Sequence, residues 1–120
     1  MGSMSRNKGK VGEREVAALL REMGFENARR GVQYQGGHDS DDVIGLPGFH
    51  VEVKRTEKLS LYEALGQAHE DAGEAATPVV FHRRSHLPWV VVIDAEAFLK
   101  LVGEAQRDAE QAAMYRGLAA

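Results

Sequence analysis

A mixed α/β domain, with helices packed on a central sheet, is the fold class this sequence predicts, in the order α-β-β-β-α-β-β-α. Three observations carry it. Apolar residues recur at helical spacing near the start of the chain, pairs of short β-rich runs are joined by turn-length inserts, and a capping-box tetrapeptide opens a helix between the pairs. At 120 residues, with 43% apolar and 28% charged, the chain can bury one core and is too short for a barrel or a two-domain enzyme. No apolar run approaches the roughly 18 residues that cross a bilayer. The absence of cysteine removes disulfides, thiolate zinc sites and thiol nucleophiles. The polar, basic opening does not read as a signal peptide, so a cytoplasmic setting is expected. Met1-Gly2-Ser3 ahead of Met4 reads as a cloning scar, leaving residues 4–120 as a single domain.

The first helix is expected from about Val11 to Met23. Val16, Leu19, Leu20 and Met23 follow the i, i+3, i+4, i+7 spacing of a buried face, Ser5 to Lys10 form a basic lead-in, and Gly24 stops the helix. Residues 27–34 read as a weak strand and residues 35–40, with Gly36-Gly37, as a loop. Two strands follow, over residues 42–45 and 49–54, separated by the turn-forming Leu46-Pro47-Gly48. Ser60-Leu61-Tyr62-Glu63 has the capping-box pattern and opens a helix running to about Ala72 or Gly73. Strands over 78–83 and 89–93 come next, and Asp94 caps a last helix from about Ala95 to Tyr115.

Net charge is −3, but its distribution is uneven. Residues 1–58 hold ten Lys/Arg against nine Asp/Glu, and residues 59–120 hold five against nine. The first half is thus basic relative to the second, and the total neither supports nor excludes a nucleic-acid partner.

The chemistry-bearing residues cluster before residue 70. At about 100° per residue, Glu13 borders the stripe of Val16, Leu20 and Met23, while Arg14, Ala18 and Arg21 face the other way. A carboxylate against a core needs a cation or a metal beside it; otherwise it snorkels to solvent. On the strand over residues 49–54, alternation sets Phe49, Val51 and Val53 on one face and His50, Glu52 and Lys54 on the other. Glu52 and Lys54 alone read equally as an ion pair. Asp42, ten residues before Glu52 across a tight turn, falls beside it on the paired strand. Two carboxylates meeting there repel each other unless something positive lies between them, and hard divalent cations bind through such carboxylates. Lys54 is then placed to hold an attacking water or to stabilise charge on phosphorus.

Asp42 followed by Glu52-Val53-Lys54 resembles the metal-binding signature of the PD-(D/E)XK nuclease superfamily. More narrowly, Lys8-Gly9-Lys10-Val11-Gly12-Glu13-Arg14-Glu15-Val16 is similar to the first helix of archaeal-type Holliday junction resolvases. Ser40-Asp41-Asp42-Val43-Ile44-Gly45 and Val51-Glu52-Val53-Lys54-Arg55-Thr56 resemble their two motif strands. The resemblance implies a restriction-endonuclease-like core and Mg²⁺-dependent hydrolysis of DNA phosphodiesters, with Mn²⁺ able to substitute. It implies that Asp42 and Glu52 hold the metal, with the Val53 carbonyl an extra ligand, Glu13 the helix acid of the site, and Lys54 the water-activating or charge-stabilising residue. Gln67 would face the site from the next helix, or be a solvated helix residue. Asp41 competes with Asp42, which fits the Asp-aliphatic-aliphatic-Gly pattern better. Where the resolvases carry a serine-bearing loop, this chain has Gly36-Gly37-His38-Asp39-Ser40.

Arg6, Lys8, Lys10, Arg29, Arg30, Arg55, Lys58 and Ser40 are the expected DNA contacts, with Arg83 and Arg84 further candidates. Each cation alone is a solvated charge, and it is their grouping near the motif strand that points to phosphates. The five histidines show no zinc-ligand spacing, and Trp89 and Tyr62 are expected in the core or an interface. The expected function is a Holliday junction resolvase making paired symmetric cuts as a homodimer. The alternatives are another nuclease of the superfamily (nicking, repair or phage DNA processing) or a non-catalytic nucleic-acid-binding module.

Overall fold

The computed structural model describes residues 2–31 and 41–119, and the side chains of residues 9–31 and 41–118. Within them the chain forms α1 (Gly2–Glu22), β1 (Arg29–Arg30), β2 (Val43–Ile44), β3 (Phe49–Arg55), α2 (Leu61–Ala72), β4 (Thr77–Arg83), β5 (Val90–Val92) and α3 (Ala95–Ala119). The fold is mixed α/β, with three helices and one five-stranded mixed sheet in the order β1-β2-β3-β4-β5. β3 and β4 run parallel, joined by α2 as the crossover, and the remaining neighbours are antiparallel. No helix among the described residues is long and apolar enough to cross a membrane.

The alternation along β3 buries both of its faces. Val51 and Val53 join Val16, Ala17 and Leu20 of α1, with Val43, Val79 and Phe81, in the larger core. The opposite face lies under α2, where Ala64, Leu65 and Ala68 pack against Val80. His50 and Glu52 are therefore covered by α2, and both are buried. Close approach of α1 to β3 depends on Gly12, where an added Cβ would sit 3.0 Å from the Arg55 Cβ and 3.3 Å from a Val53 methyl. Gly45, at φ 101°, lets β2 pass the Ala28 backbone, 2.5 Å from where a Cβ would stand.

Several local expectations need correction. The basic lead-in belongs to α1, which begins at Gly2, and no proline interrupts it. Met23 is 71% exposed: the helix ends at Glu22, so Met23 leaves the periodic face inside the turn to Gly24. Ser60 occupies the N-cap of α2, but its side chain makes no capping hydrogen bond. Tyr62 is 86% exposed on the first turn of α2, outside the core. The last helix extends four residues past Tyr115, to Ala119. Every residue from Glu104 to Leu118 is exposed, so this helix projects from the body. The radius of gyration is 16.7 Å, against about 13.5 Å for a compact chain of this length.

Candidate metal and active site

The site forms where β2 and β3 part. Val43 opposes Val51, and the Asp42 amide donates to the Val51 carbonyl at 2.9 Å. Two residues further along β3 the Val53 amide donates to Asp42 Oδ2 at 2.7 Å. A carboxylate thus takes the place of the next strand carbonyl, as expected at the end of a two-residue strand. In a strand the N–H and C=O of one residue point to the same side. The Val53 carbonyl therefore faces the edge occupied by Asp42.

Carboxyls from three elements converge on this edge. Glu13 comes from α1 on one face of the sheet, Glu52 from β3 on the other, and Asp42 lies between them at the strand end. Burial, and then the charge of Asp42, raise the Glu13 carboxyl above its ordinary range, against the pull of Arg30 and Lys10. The Glu52 carboxyl is pushed up to about 7, chiefly by burial, then by the Asp42 charge and a hydrogen bond shared with Asp42, while His50 opposes the shift. A hydrogen bond between two carboxyls requires a proton, which is why it favours the neutral form. Crowded oxygen donors of this kind, with a backbone carbonyl on the same edge, are what a hard divalent cation takes.

His50 organises the other side of Glu52. Its Nε2 lies 2.7 Å from Glu52 Oε1 and its Nδ1 pairs with Asp41, so the buried ring bridges two carboxyls. Burial works against charge on the ring, but Glu52 and Asp41 outweigh it and raise its pKa. The neighbouring aspartates thus divide the work: Asp42 faces Val53 and the acids, and Asp41 faces the histidine.

The crossover helix adds a residue the sequence reading missed. Glu63 and Gln67 of α2 share a cleft with Lys54, and Asp71, at the end of the same helix, lies at His50 and Glu52. Gln67 Nε2 donates to Asp71 Oδ1 at 3.1 Å. Among the described residues, His50, Glu52 and Asp71 form a group whose donor atoms all lie within 4.8 Å of one another. Of the expected metal ligands only Glu52 belongs to that group; Asp42 and Glu13 do not. The signal for Asp71 was its place four residues after Gln67 on one helix face. Lys54 and Gln67 line a common cleft with Thr56, Lys58, Ser60 and Glu63.

The expected phosphate-binding cations are placed unevenly. Arg30 Nε lies 3.1 Å from Glu13 Oε2, so it partners the helix acid. Arg55 Nε and Arg83 Nη1 lie 3.3 and 2.6 Å from the Glu15 carboxylate, which also accepts from Trp89 Nε1 at 3.1 Å. Arg84 lies 3.9 Å from Glu57. Lys10, Arg29 and Lys58 are exposed. Arg6 and Lys8 lie on the first turns of α1 with side chains outside the described residues, and Ser40 and His38 lie outside them altogether. No protein-family model matches the chain, and no curated protein matches it.

Proposed function

We propose that this chain is a metal-dependent DNA endonuclease with a restriction-endonuclease-like core, acting on branched DNA as a Holliday junction resolvase. The observation that carries the reading is the meeting of Glu13, Asp42 and Glu52 at one strand edge, with Lys54 two residues beyond Glu52 on the same face of β3. A buried glutamate that shares a hydrogen bond with a second carboxyl must keep a proton or take a cation, and this supports a metal-binding role for the pair.

Asp42, Glu52 and the Val53 carbonyl are the groups that would hold Mg²⁺, or Mn²⁺ in its place, with Glu13 completing the acidic set. The ion would supply charge neutralisation at the phosphate and an acidified water. Lys54 holds that water or the phosphate oxygens as negative charge develops, and Gln67 orients groups in the cleft beside it. Exposed Lys10, Arg29 and Lys58 contact the DNA backbone and fix its position without reading sequence. Paired cuts across a two-fold junction call for two such sites, hence a symmetric dimer.

The test is cleavage of a labelled four-way junction beside linear duplex of the same sequence, with Mg²⁺, with EDTA, and with Glu52→Gln. Paired symmetric nicks on the junction alone are expected, lost with EDTA and reduced at least about 100-fold by Glu52→Gln. Equal cutting of the duplex would retain the chemistry and replace the resolvase by another nuclease of the superfamily. A second reading, a non-catalytic nucleic-acid-binding module, is favoured by the pairing of Glu13 with Arg30 and of Glu52 with His50. Tight binding without cleavage in either Mg²⁺ or Mn²⁺ would establish it.

A further inference from the structure

We propose that α3 is a dimerisation helix that pairs antiparallel with α3 of a second copy of this chain. This inference stands on the helix itself and holds whatever chemistry the site performs. α3 has 25 residues and is about 37 Å long at about 1.5 Å per residue. The side turned to the body carries Ala97, Lys100, Leu101 and Glu104, which line a cavity with His69 and Thr77. Every residue from Glu104 to Leu118 is exposed. A projecting segment of about 15 residues is only marginally helical without packing.

A second face of α3 is built for a helix partner. Phe98, Val102, Ala105, Ala109, Ala112 and Arg116 follow alternating spacings of four and three, so they form one stripe about 80° wide. Phe98 is 51% exposed, and the three alanines are exposed. The stripe is self-complementary in one direction only. Antiparallel pairing about a two-fold axis near Arg107 sets Phe98 against the partner's Arg116, Val102 against the partner's Ala112, and Ala105 against the partner's Ala109. Large residues then meet small ones, and the only charge in the stripe lies on an aromatic face. Parallel pairing would oppose Arg116 to its own copy. The same antiparallel register brings Leu101 beside the partner's Tyr115, covering two more exposed apolar side chains (37% and 64%). Its one repulsive contact is Asp108 against its own copy near the axis.

Sedimentation of the full chain, without DNA or metal, tests the pairing independently of nuclease activity. At micromolar concentration the expected mass is twice 13.2 kDa. Ala109→Glu, an exposed and helix-compatible change, should weaken the dimer by about 100-fold or more by burying a carboxylate in each copy. Gln111→Glu on the opposite face should leave it intact, and Asp108→Asn should tighten it. The chain has no cysteine, so orientation can be read from engineered disulfides. A mixture of Val102→Cys and Ala112→Cys chains should cross-link to each other, and neither chain to itself. A monomeric wild type, a dimer indifferent to Ala109→Glu, or self-cross-linking of the single variants would each overturn the proposal.

Discussion

Asp41 and Asp42 show how far apart two adjacent, identical side chains can be put. One step of backbone turns Asp42 toward the Val53 amide and the acids, and Asp41 toward the buried His50 ring. The resulting cluster has a definite pH signature. Glu13, Asp41, His50 and Glu52 all carry folded-state pKa values raised above their ordinary ones. A raised pKa means the folded state binds its proton more tightly than the unfolded chain, so the contribution of this cluster to stability is present at low pH and is lost as pH rises. For Glu52 the window runs from 4.5 to about 7. Metal-free protein should therefore lose stability across that window as Glu52 gives up its proton. Urea unfolding at a series of pH values checks it. Glu52→Gln should flatten the slope, and Mg²⁺ should restore stability at neutral pH if the acids hold it. A slope of opposite sign would show that the carboxyls are stabilised as anions.

Elements are positioned by glycines more than by caps. Gly9 and Gly12 lie on the same helix, yet their surroundings differ. A Cβ at Gly9 meets nothing within 4 Å, whereas one at Gly12 meets the Arg55 Cβ at 3.0 Å. Gly9→Ala should stabilise by roughly 0.5–1 kcal/mol through helix propensity. Gly12→Ala should cancel that gain or destabilise by about 1 kcal/mol, because α1 must move off β3 and carry Glu13 with it. Thermal unfolding of the two variants side by side separates propensity from packing. A larger activity loss for Gly12→Ala than its stability loss would tie the α1–β3 approach to the site. At α2 the argument runs the other way. Ser60 makes no side-chain cap, so Ser60→Ala should cost under about 0.5 kcal/mol, less than the ~1 kcal/mol of a capping serine. A full-sized loss would mean that the hydroxyl caps α2 in solution.

At the scale of the whole molecule, the charge of −3 conceals an uneven surface. Arg30, Arg55 and Arg83 are occupied by Glu13 and Glu15, which leaves exposed Lys10, Arg29 and Lys58 as the described cations best placed for phosphates. DNA binding should therefore be weak and salt-dependent. Lys58→Ala should lower affinity for all sequences alike and reduce the slope of log K against log salt by about 1. Arg55→Ala should act mainly on stability, through the Glu15 cluster. Filter binding over a salt series distinguishes them: an unchanged slope for Lys58→Ala would remove it from the DNA face.

Much of the architecture was legible in the chain itself. Element order and the alternation of the two faces of β3 followed from periods of about 3.6 and 2, whereas the burial of its His50–Glu52 face under α2 and the parallel pairing of β3 with β4 came only with the tertiary structure. Order and alternation are local properties that neighbouring residues determine by their spacing. Asp42, Glu52 and Lys54 were legible as candidates for the same reason, lying close in sequence across one tight turn. What only the tertiary structure decided is how the charges are shared. Glu15 is 68 residues from Arg83 and 74 from Trp89, and Glu13 is 17 from Arg30. Asp71 reaches His50 and Glu52 only because α2 folds back over β3. No periodicity encodes such meetings, because Coulomb energy and desolvation depend on distance and burial after the chain has closed its loops.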